Sequence, residues 1–137
     1  MVLINHLRRT GALCVVIISL FGIPSASAQH QVLMNRLCKS WSLTTIQNIT
    51  RQTAETAPAN FILNIKPDYT MEQGILPDGI IQSTWSFNEA NMILTVSDIK
   101  TKMNYELKIL RITNEELELQ DNTTGEQIII HYKASTD

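Results

Sequence analysis

Between Lys39 and Lys133 apolar and polar residues alternate in eight short stretches, with no helix of ordinary length between them. Phe61, Leu63 and Ile65 alternate with Ile62, Asn64 and Lys66, and such a period of two is the signature of a strand. The first stretch runs from about Cys38 to Ile49, with Trp41, Leu43 and Thr45 on one face; Thr50 to Asn60 reads as an irregular loop. Tyr69, Met71, Gln73 and Ile75 share a face after a Pro67-Asp68 turn, and Ile81, Ser83, Trp85 and Phe87 share one after Pro77-Asp78-Gly79. In that second turn proline presets φ, aspartate caps locally, and glycine accepts a positive φ. Met92, Leu94 and Val96 follow, then Met103, Tyr105, Leu107 and Ile109. There the apolar phase passes to Leu110 and Ile112, which predicts a bulge near Ile109. Leu117 with Leu119, and Ile128, Ile130 and Tyr132 after a turn at Asn122–Gly125, complete the set. Gln29 to Leu37 reads as a polar lead-in with one helical turn, whose Val32, Leu33 and Leu37 can plug one end.

Nearly all these connections are short, so consecutive strands lie side by side and antiparallel. A twisted sheet with one apolar face must cover that face, and rolling up buries it and removes the free edges together. The predicted fold is all-β: an antiparallel, up-and-down barrel of eight strands. At that size the interior is filled by side chains or holds one small ligand.

Composition adds a compartment. Arg8 and Arg9, the apolar run from Ala12 to Ile23, Pro24 and Ala26-Ser27-Ala28 together form a signal-peptide pattern over residues 1–28. The run has about 12 residues where a membrane-spanning helix needs about 20, so no span is expected after cleavage. The remaining domain, residues 29–137, loses two arginines and no acidic residue, which moves the formal charge from −2 to −4. That balance excludes nucleic acid, whose phosphates require a basic patch. Cys38 is the one cysteine left, so no internal disulfide can form and stability rests on the core.

The phrase Leu37-Cys38-Lys39-Ser40-Trp41-Ser42-Leu43 resembles the opening of bacterial lipocalin-like domains, in which a leucine and then Gly-x-Trp begin the barrel. Phe61–Tyr69, Ser83–Phe87, Leu94–Asp98 and Tyr105–Leu119 are similar to later landmarks of that family, in order. Lys39 stands where the family has glycine, and no glycine follows Asp68. The resemblance implies a single exported lipocalin-like barrel whose first tryptophan packs across the closed end. It also implies a bacterial protein, periplasmic or secreted.

The inward aromatic and thioether residues Trp41, Phe61, Tyr69, Met71, Trp85, Phe87, Tyr105 and Tyr132 are the candidate ligand-binding set, suited to a small hydrophobic molecule. The competing reading is that they simply are the core. In that case the protein is a filled, monomeric barrel whose mouth loops dock on an envelope protein through outward Leu76 and Ile80. An interior void of a few hundred cubic ångströms separates the two readings. His30 and His131 are too isolated for a metal site, and Glu115, Glu116 and Glu118 are split between faces by alternation. No Ser-His-Asp set, phosphate loop or CxxC motif is present, so neither enzyme activity nor a cofactor is expected. The two Asn-x-Thr tripeptides, at Asn48 and Asn122, are read as chance matches.

Overall fold

The computed structural model describes residues 25–136. Most of the expected signal peptide therefore lies outside the described residues; of its last four, Ser25 caps a helix and 26–28 begin it. That helix, α1 (Ala26–Leu37), is capped by the Ser25 hydroxyl, which accepts from the Ala28 amide. It is longer than the single turn expected. Its polar residues alternate too irregularly to bury a stripe, and of its side chains only Leu37 is fully buried, with Met34 packed against the core. Val32, expected to help plug the barrel, is 49% exposed.

Nine strands follow: β1 (Ser40–Asn48), β2 (Thr53–Thr56), β3 (Phe61–Ile65), β4 (Thr70–Ile75), β5 (Gly79–Asn88), β6 (Ile93–Asp98), β7 (Asn104–Ile112), β8 (Glu116–Asp121) and β9 (Ile128–Ala134). Every pairing is antiparallel, and β1 also pairs with β9, which closes the sheet. The closed circuit has eight strands, β1 and β3 to β9, as the alternation predicts. β2 is the addition, and all four of its residues are exposed. With no apolar face it leaves no periodic trace in the sequence. β1 divides one edge between two neighbours: Thr45–Asn48 pair with β2, and only Ser40–Ser42 pair with β3.

Two bulges set the inner face. In β7 the register shifts between Ile109 and Arg111, so Ile112 returns inward opposite Leu117 while Leu110 is exposed. In β1 it shifts between Leu43 and Thr45. The inner face there continues as Leu43, Ile46 rather than through Thr45, which pairs with His131 on the outside. An extra residue in one strand bends the wall, which a small barrel needs in order to close.

The core fills one end. Trp41, Leu63, Ile65, Met71, Trp85, Leu94, Val96, Ile109, Leu117 and Leu119 are all at most 4% exposed. Leu37 joins them from α1, and His30 of α1 bonds Glu89 just after β5, so the helix lies over this end. The Trp41 indole is fully buried and donates to the Leu37 carbonyl at 3.0 Å. Lys39, in the glycine's place, keeps its ammonium 5.4 Å from the Trp41 ring and donates to the Asn114 carbonyl. A lysine stem can cover an aromatic ring while its head stays wet, so the substitution is accommodated.

Candidate functional site

At the other end the strands run on past the packed core and leave a cup. β1, β4, β6 and β8 end there, and β3, β5, β7 and β9 begin there. The cavity measures about 690 Å³, inside the roughly 300–1,000 Å³ range of small-molecule sites. Its wall carries Phe61 from β3, Gln73 and Gly74 from β4, Ile81 from β5, Tyr105 and Leu107 from β7, Asp121 from β8, and Ile130 and Tyr132 from β9. The interior is therefore neither wholly filled nor wholly hollow. Another hollow, of about 610 Å³, is a groove along the outer wall lined by Thr95, Glu106, Lys108 and Gln120.

Cross-strand pairing explains why these side chains converge. Gln73 stands opposite Leu63 and Ile81, Leu107 opposite Leu94 and Asp121, and Ile130 opposite Leu119 and Ile46. Directly opposed residues share a face, so each pair turns inward together. Gly74 belongs to the tight β4–β5 hairpin. It adopts φ +141°, and a Cβ there would meet the Gly79 carbonyl oxygen at 1.8 Å.

Six of the twelve lining residues carry polar side chains: Gln73, Asn104, Tyr105, Asp121, Thr123 and Tyr132. The Tyr105 hydroxyl accepts from Gln73 Nε2 at 2.7 Å. Burial pushes the Tyr105 pKa up against the opposing effect of that bond, and Asp121 and Asp98 add to the rise. Tyr132 is almost wholly buried, and burial first, then Tyr105, drives its pKa well above the ordinary phenol value. Asp121 Oδ1 accepts from the Thr123 amide at 2.8 Å and its hydroxyl at 2.7 Å, which fixes the carboxylate at the rim.

The eight predicted residues thus divide. Phe61, Tyr105 and Tyr132 line the cup. Trp41, Met71 and Trp85 are buried in the packed half, and Phe87, half-buried opposite Leu94, packs against the same core. Trp85 braces the β3–β4 turn, its indole donating to the carbonyls of Lys66 and Thr70 at 3.1 and 3.0 Å.

Tyr69 is not an inner-face residue. It is 52% exposed, with φ +64°, in the turn before β4. It takes the left-handed conformation that a glycine after Asp68 would adopt without strain. Its ring lies 5.1 Å from that of Trp85, beside a groove between α1 and the turn that also contains Cys38. The Cys38 thiol is raised in pKa by burial and by Asp68, the opposite of an activated nucleophile.

Gln73, Gly74, Ile81, Met103, Asn104, Leu107, Asp121, Thr123 and Ile130 also line the cup and are not among the predicted site residues. Leu76 is exposed at the β4–β5 hairpin tip and Ile80 is half-buried. Ile75 and Ile81 beside them, and Ile49, Ile99 and Met103 on the other mouth segments, are also exposed, so most large exposed apolar side chains ring this end. His131 faces Glu118 on the outer wall at 3.5 Å, far along the chain from the His30–Glu89 pair. No described helix is long and apolar enough to cross a membrane.

The architecture is that of the lipocalin-like barrels. A lipocalin-like protein from Bacteroides uniformis ATCC 8492 superposes with a TM-score of 0.61, over 73% of this chain and 99% of that one, at 11% identity. A DUF4847 family protein from Bacteroides vulgatus ATCC 8482 gives a TM-score of 0.54 over 74% and 96%, at 14% identity. No family model and no curated protein matches the sequence. The likeness is one of fold, at identities too low to carry over any residue's role.

Proposed function

We propose that this chain is an exported, non-catalytic lipocalin-like carrier that holds a small hydrophobic molecule in the cup. One observation carries the reading: a cavity of about 690 Å³, walled by Phe61, Tyr105, Tyr132, Leu107 and Ile130, above a solid floor. A barrel that served only as a rigid module would gain stability by filling that space, since apolar burial contributes about 25 cal/mol per Å². The exposed apolar side chains around the mouth suit the entry of an apolar tail. The signal-like residues 1–28 support export, with the carrier working in the periplasm or outside the cell. The neutral dye N-phenylnaphthylamine should brighten on mixing with the protein. Ile130→Trp, which pushes an indole into the cup, should weaken that uptake by about tenfold at a stability cost of about 1–3 kcal/mol. Undiminished uptake by a folded Ile130→Trp variant would place the dye elsewhere and remove the cup reading.

A second reading rests on the hairpin tip. Leu76 is 45% exposed beside Ile75 and Ile80, an apolar point suited to contact with another exported protein. Leu76→Asp combined with Ile80→Asp should leave the circular dichroism spectrum unchanged and abolish co-purification of an envelope partner. Co-purification that survives both charges discards this surface.

A further inference from the structure

We infer that the head group of the molecule held in the cup is a cation, an amine or quaternary ammonium carrying an aliphatic tail, and not a carboxylate or phosphate. This inference rests on the carrier reading and narrows it to one ligand class.

The cup's charge is one-sided. Asp121 is the sole ionisable acid or base among its lining residues apart from the two phenols, and no lysine, arginine or histidine lines it. Only Oδ1 of that carboxylate is engaged, by Thr123; Oδ2 has no hydrogen-bond partner among the described residues. Asp98, paired with inward Ser83 on the neighbouring wall, stands at the same end of the barrel and acts with Asp121 on the Tyr105 phenol. The basic residues nearest in sequence to the mouth stay outside the lining: Lys100 and Lys102 are exposed in the β6–β7 loop, and Arg51 is held by Glu126 at 2.6 Å.

An anionic head would meet a like charge with no counter-ion inside a partly desolvated cavity. A cation would find a free carboxylate oxygen and the rings of Tyr105, Tyr132 and Phe61, whose faces attract positive charge. The Tyr105 oxygen, already accepting from Gln73, keeps its own proton to donate and is a poorer partner for a cation than its ring. The tail would lie against Leu107, Ile130 and Ile81.

The test uses two surfactants with the same tail, both below their micelle concentrations. Each is titrated against the protein loaded with neutral N-phenylnaphthylamine. Dodecyltrimethylammonium should displace the dye at about a tenfold lower concentration than dodecanoate, roughly what one nearby charge contributes at an intermediate dielectric. Asp121→Asn should bring the ratio of the two displacement midpoints to about one, because the charge is lost while the amide oxygen still accepts from Thr123 and the fold is kept. Glu106→Gln, which removes an exposed carboxylate from the outer wall, should leave the preference as it was. Equal displacement by the two surfactants, stronger displacement by dodecanoate, or a preference that persists in Asp121→Asn overturns the inference while the carrier reading stands. Failure of the protein to take up the neutral dye at all overturns both.

Discussion

Trp41→Ala should lower the stability of the barrel by about 3–5 kcal/mol, the usual cost of deleting a buried aromatic side chain. Trp41 is fully buried where α1 meets β1, and its indole nitrogen holds the last helical carbonyl, that of Leu37. Removing it opens a void between helix and barrel and unties the plug in one step. Trp41→Phe keeps most of the volume and leaves the Leu37 carbonyl with the Lys39 amide as its remaining donor, so a smaller loss of about 0.5–1.5 kcal/mol is expected. Urea unfolding followed by Trp85 fluorescence separates the two variants. A loss below about 1 kcal/mol for the alanine variant would show that the sealed end does not hold the barrel together. Dye uptake per folded molecule should be unchanged in both, since the cup is at the other end.

The second large effect is expected at Gly74. The Gly74→Ala methyl would sit 1.8 Å from the Gly79 carbonyl oxygen and 2.7 Å from its carbon, at a φ of +141°. Backbone strain alone costs about 1–3 kcal/mol, and the collision is relieved only if β4 and β5 part at their tip. The total should reach at least about 3 kcal/mol, or appear as local opening in which the amides of Ile80 and Ile81 exchange rapidly with solvent. Gly74 is part of the cup, so dye uptake should fall by about tenfold even in folded molecules. Normal uptake together with normal protection of those amides would mean that the tight approach of the two strands does not shape the cavity.

Alternation along the chain revealed the wall because each strand buries one face, and the bulge in β7 was visible because the apolar phase passes from Ile109 to Leu110 and Ile112, although only Ile112 turns inward and Leu110 is exposed. The bulge in β1 left no such mark: Thr44 and Thr45 are equally at home on either side of a strand. Tyr69 was misplaced because the alternation was carried through a turn, where a left-handed residue breaks the period. β2 went unread because a strand exposed on both faces has no apolar signal.

The ligand site was legible in part for a different reason. A period of two distinguishes inside from outside but says nothing about height along the barrel axis, which register and stagger decide. Phe61 and Tyr105 stand at the mouth, Tyr132 lies deeper and is 6% exposed, and Trp41, Met71 and Trp85 are at the base, yet all six look alike in sequence. Asp121 has the same difficulty, since one acidic residue closing an acidic strand looks like any solvated end.

The division of β1 between β2 and β3 has a mechanical consequence. Three residues, Ser40 to Ser42, zip β1 to β3, whereas seven join β1 to β9 and five or six hold most other neighbours. Under thermal or tensile stress a cylinder tears along its shortest row of fastenings. Beyond Ser42 that flank is bordered by β2 alone, so the cylinder is already slit at its brim. Exchange of backbone amides with solvent is therefore expected to begin along the short β1–β3 seam, ahead of the seven-residue seam between β1 and β9.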